Sequence, residues 1–231
     1  MDSEKKLSVV IPCYNERENI KVILDRIKSA YHGPMEIIIV DDHSTDGTTE
    51  ILKEIEPTVD RIIYCEENHG KGAALRTGFA AATGDAVIIQ DADNEYDPAD
   101  YAALVKPIFE GKNCVVYGSR FLNGRRYEKA YRENVAANHF LTVFSNLFTR
   151  QKLTDMETCY KCMSRKVVKK LVPLLKEERF GFEPEITARI SDLRIRIAEV
   201  PISYAPRTRE EGKKIGFKDG LRAIYCIVRY H

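Results

Sequence analysis

The chain has 231 residues, 44% of them hydrophobic and 31% charged, the composition of an ordinary globular protein rather than a disordered, collagen-like or low-complexity one. A formal net charge of +1 lacks the basic excess of a general nucleic-acid binder, so no nucleic-acid partner is expected. The charge is uneven, because from Arg207 onward seven Lys/Arg face three Asp/Glu, and such a tail points to an anionic partner near the C-terminus.

The first half alternates two kinds of segment. Continuous β-branched runs at residues 7–11, 36–40, 61–64, 86–90 and 114–117 read as strands buried on both faces of a parallel sheet. Helical patterns fill the intervals at 16–30, 48–55, 71–82 and 98–110. Asn15 with Glu18, and Asp97 with Asp100, have the spacing of an N-cap and its N3 partner, and Pro98 suits the first helical position. The expected fold is an open, doubly wound α/β sheet.

Beyond residue 120 the pattern changes. A long helix is expected over 128–150, with Val135, Phe140, Val143, Leu147 and Phe148 as its apolar stripe. A helix near 164–176, a short one from Glu183, a strand over 196–204 and a final amphipathic helix from about Phe217 follow. With no repeat and no Gly/Ser linker, residues 1–231 are expected to form a single domain. Six cysteines are scattered through these elements, and the Cys159/Cys162 CxxC has no second ligand pair at zinc spacing, so free thiols are expected. No apolar run reaches the roughly 18 residues that span a bilayer, and the N-terminus has no apolar signal core, so the expected location is cytoplasmic.

In open α/β sheets, ligands bind outside the carboxyl ends of the strands. Polar residues gather there in four loops, at residues 12–16, 41–48, 68–72 and 91–93. Singly each has a bland explanation, Asn15 and Ser44 as caps and the glycines as turns. Asp91-Ala92-Asp93 is the sharpest element. Two carboxylates at i and i+2 after a buried strand face the same way, which suits a hard divalent cation bridged to a diphosphate. A like-charge pair at the rim is costly unless a cation neutralises it. The nucleotide and hydrolase motifs GxxxxGK[ST], GxGxxG and GxSxG are all absent.

The order VVIPCYNE, IIIVDDHSTDGT, NHGKGAALRTGFAAATGD and IIQDADNEYDP resembles inverting glycosyltransferases of family 2, and within it the dolichol-phosphate mannose synthase and polyprenyl-phosphate glycosyltransferase branch. The likeness continues through Gly118-Ser119-Arg120, TDMETCYK at 154–161, GFEPE at 181–185 and EVPISY at 199–204, and so covers nearly the whole chain. It implies the GT-A fold, a Rossmann-like, mainly parallel open sheet with helices on both faces. About 1–120 would form the nucleotide-sugar half and about 120–231 the acceptor half.

By that resemblance Pro12, Tyr14, Asn15 and Glu16 line the nucleotide, Asp42 lies near the base and ribose, and Lys71 near the sugar or diphosphate. Asp91 and Asp93 hold Mg²⁺ or Mn²⁺, with Gln90 or Glu95 completing the shell; Glu95 stands where the family often has Gln. Arg120 and Arg132 face the acceptor phosphate, which suits the bidentate geometry of a guanidinium. Arg207, Lys213 and Lys214 match a basic loop that closes on the diphosphate, although the segment departs from the family's RxxGxSK. The implied activity is metal-dependent transfer of a hexose from a GDP- or UDP-linked donor to a polyprenyl or dolichyl phosphate.

A phosphate nucleophile is largely ionised at neutral pH and needs no strong base, whereas a sugar hydroxyl would need one. Asp155 and Glu183 or Glu185 are the candidates for that base, which makes Asp93, Arg120, Asp155 and Glu185 the catalytic set. A glycan-hydroxyl acceptor and a non-catalytic nucleotide-sugar-binding subunit of a membrane complex stay open as alternatives. The tail keeps two readings as well. Phe217, Leu221, Ile224 and Val228 fall on one helical face, with Lys218, Arg222 and Arg229 elsewhere, so the helix either lies on a membrane surface or closes the core.

Overall fold

The computed structural model describes residues 4–122, 132–206 and 217–230. Seven strands, β1 (Leu7–Cys13), β2 (Met35–Asp41), β3 (Arg61–Tyr64), β4 (Ala86–Ile89), β5 (Val115–Ser119), β6 (Lys161–Ser164) and β7 (Ala198–Pro201), form one sheet. Their order is β3-β2-β1-β4-β6-β5-β7, parallel throughout except that β6 runs antiparallel to β4 and β5. The helices are α1 (Ile20–Ala30), α2 (Thr48–Ile55), α3 (Lys71–Ala81), α4 (Tyr101–Phe109), α5 (Arg132–Thr149), α6 (Arg165–Leu171), α7 (Phe182–Asp192) and α8 (Phe217–Arg229). The expected α/β class with a mainly parallel sheet is therefore what forms.

The uniformly apolar runs of β1, β2 and β4 are buried along almost their whole length, as strands covered on both faces must be. From β1 the chain moves outward through β2 and β3, then returns to place β4 on the other side of β1. That reversal is the topological switch point, where neighbouring loops diverge and leave a crevice at the carboxyl edge.

Several local expectations change. The first helix begins at Ile20 rather than residue 16, and its cap is Asn19 without a side-chain bond. Asn15 instead adopts a left-handed conformation, φ 53°, and its Oδ1 accepts from the Thr45 amide at 2.7 Å. The Asp97 cap does form, accepting from Ala99 N at 3.1 Å, on a 3-10 turn at Pro98–Asp100 that leads into α4. α6 stops at Leu171, short of Pro173, which has no amide hydrogen to continue a helix. The last strand is trimmed to four residues.

β6 was not foreseen. Its first residue, Lys161, is fully buried and interrupts any apolar pattern. Its ammonium is satisfied by the carbonyls of Met156 and Thr158 and lies 4.8 Å from the Tyr117 ring centroid.

The long helix turns the other way round from the usual rule that an apolar stripe faces the core. In α5, Phe140 is 58% and Leu147 73% exposed, with Val143 and Phe148 also at the surface. The buried face carries Leu141, Thr142, Ser145 and Thr149. Small and polar groups serve there because they bond the neighbouring loop: Thr142 Oγ1 accepts from Met156 N at 3.0 Å, and the Asn146 amide brackets the Leu153 backbone.

At the opposite, amino edge of the sheet, Glu36 joins three segments. It accepts from Lys6 Nζ at 2.8 Å, from Ser8 Oγ, and from Thr83 N and Oγ1 at 2.6 and 2.7 Å. Burial works against the ionised carboxyl, but these bonds outweigh it and hold it down at about 2. A carboxyl depressed in the folded state adds stability above its unfolded value of about 4.3, and loses it as pH falls toward the folded value. Glu36→Gln should therefore cost about 2 kcal/mol at pH 7 and flatten the acid limb between about pH 5 and 2. Urea titrations of both proteins across that range check it; parallel acid limbs would refute it.

Candidate active site

The carboxyl-edge crevice opens into a cavity of about 740 Å³. Its wall brings together Pro12, Tyr14, Glu16, Asp42, Lys71, Asp91, Asp93, Glu95 and Arg120, residues spread over more than a hundred positions of sequence. The loops that carry them are stitched edge to edge. Asn15 N donates to Ser44 Oγ and Glu16 N to Thr48 Oγ1, both at 3.0 Å. Asp42 N donates to Cys13 O at 2.8 Å, and the Asp42 carboxylate accepts from His69 N at 2.9 Å and Gly70 N at 2.6 Å. Asp42 therefore lines the cavity while both its oxygens hold the 68–70 loop.

Gly70 has no substitute here. Its φ is +99°, and an added Cβ would lie 2.6 Å from the Glu178 carbonyl oxygen. This close approach places Lys71, the first residue of α3, inside the cavity. Lys71 Nζ lies 2.9 Å from Asp91 Oδ1 and 3.0 Å from Glu183 Oε1. Burial alone lowers an ammonium, but the Asp91 and Glu183 carboxylates outweigh it and hold Lys71 well above the usual lysine range.

Asp91 and Asp93 are both half-buried on the wall, at the end of β4. Asp93 Oδ1 accepts from Glu95 N at 3.2 Å, and Glu95 Oε2 accepts from the Tyr204 hydroxyl at 2.8 Å. Gln90 is absent from the wall: Tyr101 and Tyr160 both donate to its Oε1 at 2.7 Å, and its amide steadies the Asp91 carbonyl. Among the described residues no cluster of three or more His, Cys, Asp or Glu is gathered for a metal. The donor set still fits a hard cation of the Mg²⁺ or Mn²⁺ kind, which takes one or two carboxylates and completes its shell with water and ligand phosphates. Asp91 and Asp93 would hold it, with Glu95 within the same loop.

Arg120 reaches the cavity, but its Nε and Nη2 bond Asp155 at 2.7 and 2.6 Å, and its backbone N donates to the same carboxylate. Asp155 is completely buried and does not line the cavity. Glu185 is equally buried and is consumed by the amides of Lys176 and Glu177 at 2.9 and 2.7 Å. Asn15 is not among the residues that line the cavity. Arg207, Lys213 and Lys214 fall outside the described residues, as does the Arg132 side chain.

Residues not expected at the site complete the wall: Glu157, Cys159, Arg179 and Phe180, with Phe140 and Leu141 from α5 and Leu221 and Ile224 from α8. All six cysteines are free, and burial together with Asp91 raises the Cys159 thiol well above its usual range.

The family model "Glycosyl transferase family 2" matches residues 8–172. The chain belongs to that family. It is a glycosyltransferase on the strength of that membership. It is 29% identical over 97% of its length to the dolichol-phosphate mannosyltransferase of Pyrococcus furiosus, of which it spans 64%. It is 33% identical over 88% of its length to the dolichyl-phosphate beta-glucosyltransferase of Saccharomyces cerevisiae, spanning 68% of that protein. Among solved structures, glucosyl-3-phosphoglycerate synthase from Mycobacterium tuberculosis, crystallised with Mn²⁺, UDP and glucosyl-3-phosphoglycerate, superposes with a TM-score of 0.69. At 23% identity, over 98% of this chain and 80% of that one, the likeness concerns the fold.

Because the Arg120–Asp155 pair is buried, removing either partner leaves an uncompensated charge. Arg120→Ala or Asp155→Ala should each cost about 3–5 kcal/mol, and the double variant should cost clearly less than their sum. Denaturant titrations of the four proteins test this; additive losses would show that the pair is not coupled.

Proposed function

We propose that the protein moves a hexose from a GDP- or UDP-linked donor to the phosphate of a polyprenyl or dolichyl phosphate, with inversion and with Mg²⁺ or Mn²⁺. The reading is carried by one cavity whose wall holds both the charged groups Asp91, Asp93 and Lys71 and the apolar side chains of Phe140, Leu221 and Ile224. The relatives' names add the acceptor class, since both are transferases acting on dolichol or dolichyl phosphate.

In this reading Pro12, Tyr14, Glu16 and Asp42 seat the nucleotide, and Asp91 and Asp93 hold the cation, which supplies charge to the departing diphosphate. Lys71 adds a fixed positive charge on the same side. Arg120, oriented by Asp155, presents positive charge to the acceptor phosphate, with the Arg132 side chain assigned to the same phosphate, while Arg207, Lys213 and Lys214, outside the described residues, are assigned to the donor diphosphate. An acceptor oxygen forms the new bond to the anomeric carbon as the bond to the diphosphate oxygen breaks, and the nucleoside diphosphate leaves. No proton need be removed. That agrees with Asp155 and Glu185 being bound up in structural bonds; of the three acids considered as a base, only Glu183 lines the cavity, where its Oε1 holds Lys71.

Among the described residues no helix is long and apolar enough to cross a membrane. The exposed stripes of α5 and α8 would instead rest on the cytosolic face of the bilayer as a peripheral contact.

The test is transfer of label from UDP- and GDP-hexoses to polyprenyl phosphate in vesicles. Metal-dependent label in the organic phase is expected, and Asp91→Asn should lower it by about 100-fold or more. Leu147→Asp should cut transfer about tenfold in vesicles while sparing donor hydrolysis. Label appearing only on a soluble glycan would overturn the acceptor assignment.

A further inference from the structure

Six buried side-chain polar atoms lack a hydrogen-bond partner among the described residues, and of these only Glu157 Oε1 belongs to a residue of the cavity wall. The residue borders the cavity while its Oε1 is shielded and unsatisfied, so a partner that arrives with a ligand is one way to satisfy it. No neighbouring cation supplies one. Lys161 donates to the Met156 and Thr158 carbonyls, Lys71 is held by Asp91 and Glu183, and Arg120 turns Nε and Nη2 to Asp155.

The charges around Glu157 are Glu183 from α7, Lys161 from β6, Arg120 from the end of β5, and Asp155. Glu183 is bonded to Lys71, on the diphosphate side, and Asp155 to Arg120, on the acceptor side. Glu157 thus neighbours both the acid that holds Lys71 and the Arg120–Asp155 pair, and in the proposed function the neutral sugar lies between those two groups.

We propose that Glu157 is the hydrogen-bond partner of a hydroxyl on the transferred hexose and so a determinant of which sugar is accepted. The proposal rests on the donor half of the function given above. A hydroxyl both donates and accepts, so it satisfies either form of the carboxyl. Burial and the Glu183 carboxylate push that carboxyl up, which favours its neutral acid form, and glutamine mimics that form. A site that reads a hydroxyl by hydrogen bonding discriminates far better than one that reads it by shape.

Calorimetric titration with Mn²⁺ and UDP, UDP-glucose, UDP-galactose, GDP or GDP-mannose separates the sugar from its nucleotide without any acceptor. For Glu157→Ala, affinity for the bare nucleotide should stay within about twofold. Affinity for the preferred nucleotide sugar should fall about tenfold, close to 1.4 kcal/mol, and the preference among hexoses should narrow. Glu157→Gln should keep the wild-type preference at pH 7 and secures the comparison if the alanine variant does not fold. Equal weakening of nucleotide and nucleotide sugar, or an unchanged preference in Glu157→Ala, overturns the assignment. So does a wild-type protein that shows no preference, or a Glu157→Gln variant that binds sugar normally but no longer hydrolyses donor. A wrong acceptor alters none of these readings and shows only in the vesicle assay.

Discussion

One ammonium joins the two halves of the cavity. Lys71 opens α3, and its Nζ bonds Asp91 from the loop after β4 and Glu183 from α7. Without it two carboxylates would face each other in a partly dehydrated space, an arrangement that costs several times more than in water. The backbone is built to hold that position. Gly70 and Gly72 press against the backbone of residues 177–178, and Ala73 N donates to the Glu178 carbonyl at 3.1 Å. Even a methyl group at either glycine would collide, so α3 starts where the second half of the chain permits.

From the same 177–178 segment the constraint passes to the last helix. Glu177 accepts from Arg222 and from the Tyr230 hydroxyl, and α8 buries Ala223, Cys226 and Ile227 beneath it. The segment that seats Lys71 therefore also fixes α8 at the cavity rim. The other buried acids divide by partner rather than by position. Glu36, Asp42, Asp155, Glu177 and Glu185 are taken up by amides, hydroxyls or guanidinium groups, and they act as clamps between elements. Asp91 and Asp93 keep partial exposure on the wall, where a charge can still meet a ligand.

Much of this was legible in the sequence because burial on both faces leaves an unmistakable trace. The runs of β1 to β5 were readable as apolar blocks, and the loops following four of them announced one rim. The likeness to family 2 then ordered residues that composition and spacing could not. What stayed hidden shares one cause, a polar side chain doing interior work. Lys161 masked β6, because its charge is satisfied by two carbonyls that no periodicity reveals. Asp155 and Glu185 looked like free acids, because their partners lie up to 35 positions away. Glu157 sits in the TDMETCYK segment, yet nothing in that segment says that its neighbours Met156 and Thr158 are buried while it borders the cavity.

The inverted helices carry the same lesson about faces. Periodicity identifies which residues share a side, but not which side meets the core. In α5, Thr142, Asn146 and Thr149 bond the loop at 151–156, so that face is drawn inward and Phe140, Val143, Leu147 and Phe148 are left outside. In α8 the Arg222–Glu177 pair and the small residues Ala223 and Cys226 settle the rotation, leaving Leu221, Tyr225 and Val228 about half exposed. The tail thus closes the core with one face while presenting apolar side chains with another. Burying any one of these large side chains would be worth about 1.5–3 kcal/mol, so leaving a row of them exposed forgoes considerable stability. Phe140 and Leu221 belong at once to this outer surface and to the cavity wall. A phosphate on a hydrocarbon chain fits such a join: its charged head needs the cations inside, and its tail needs an apolar path out.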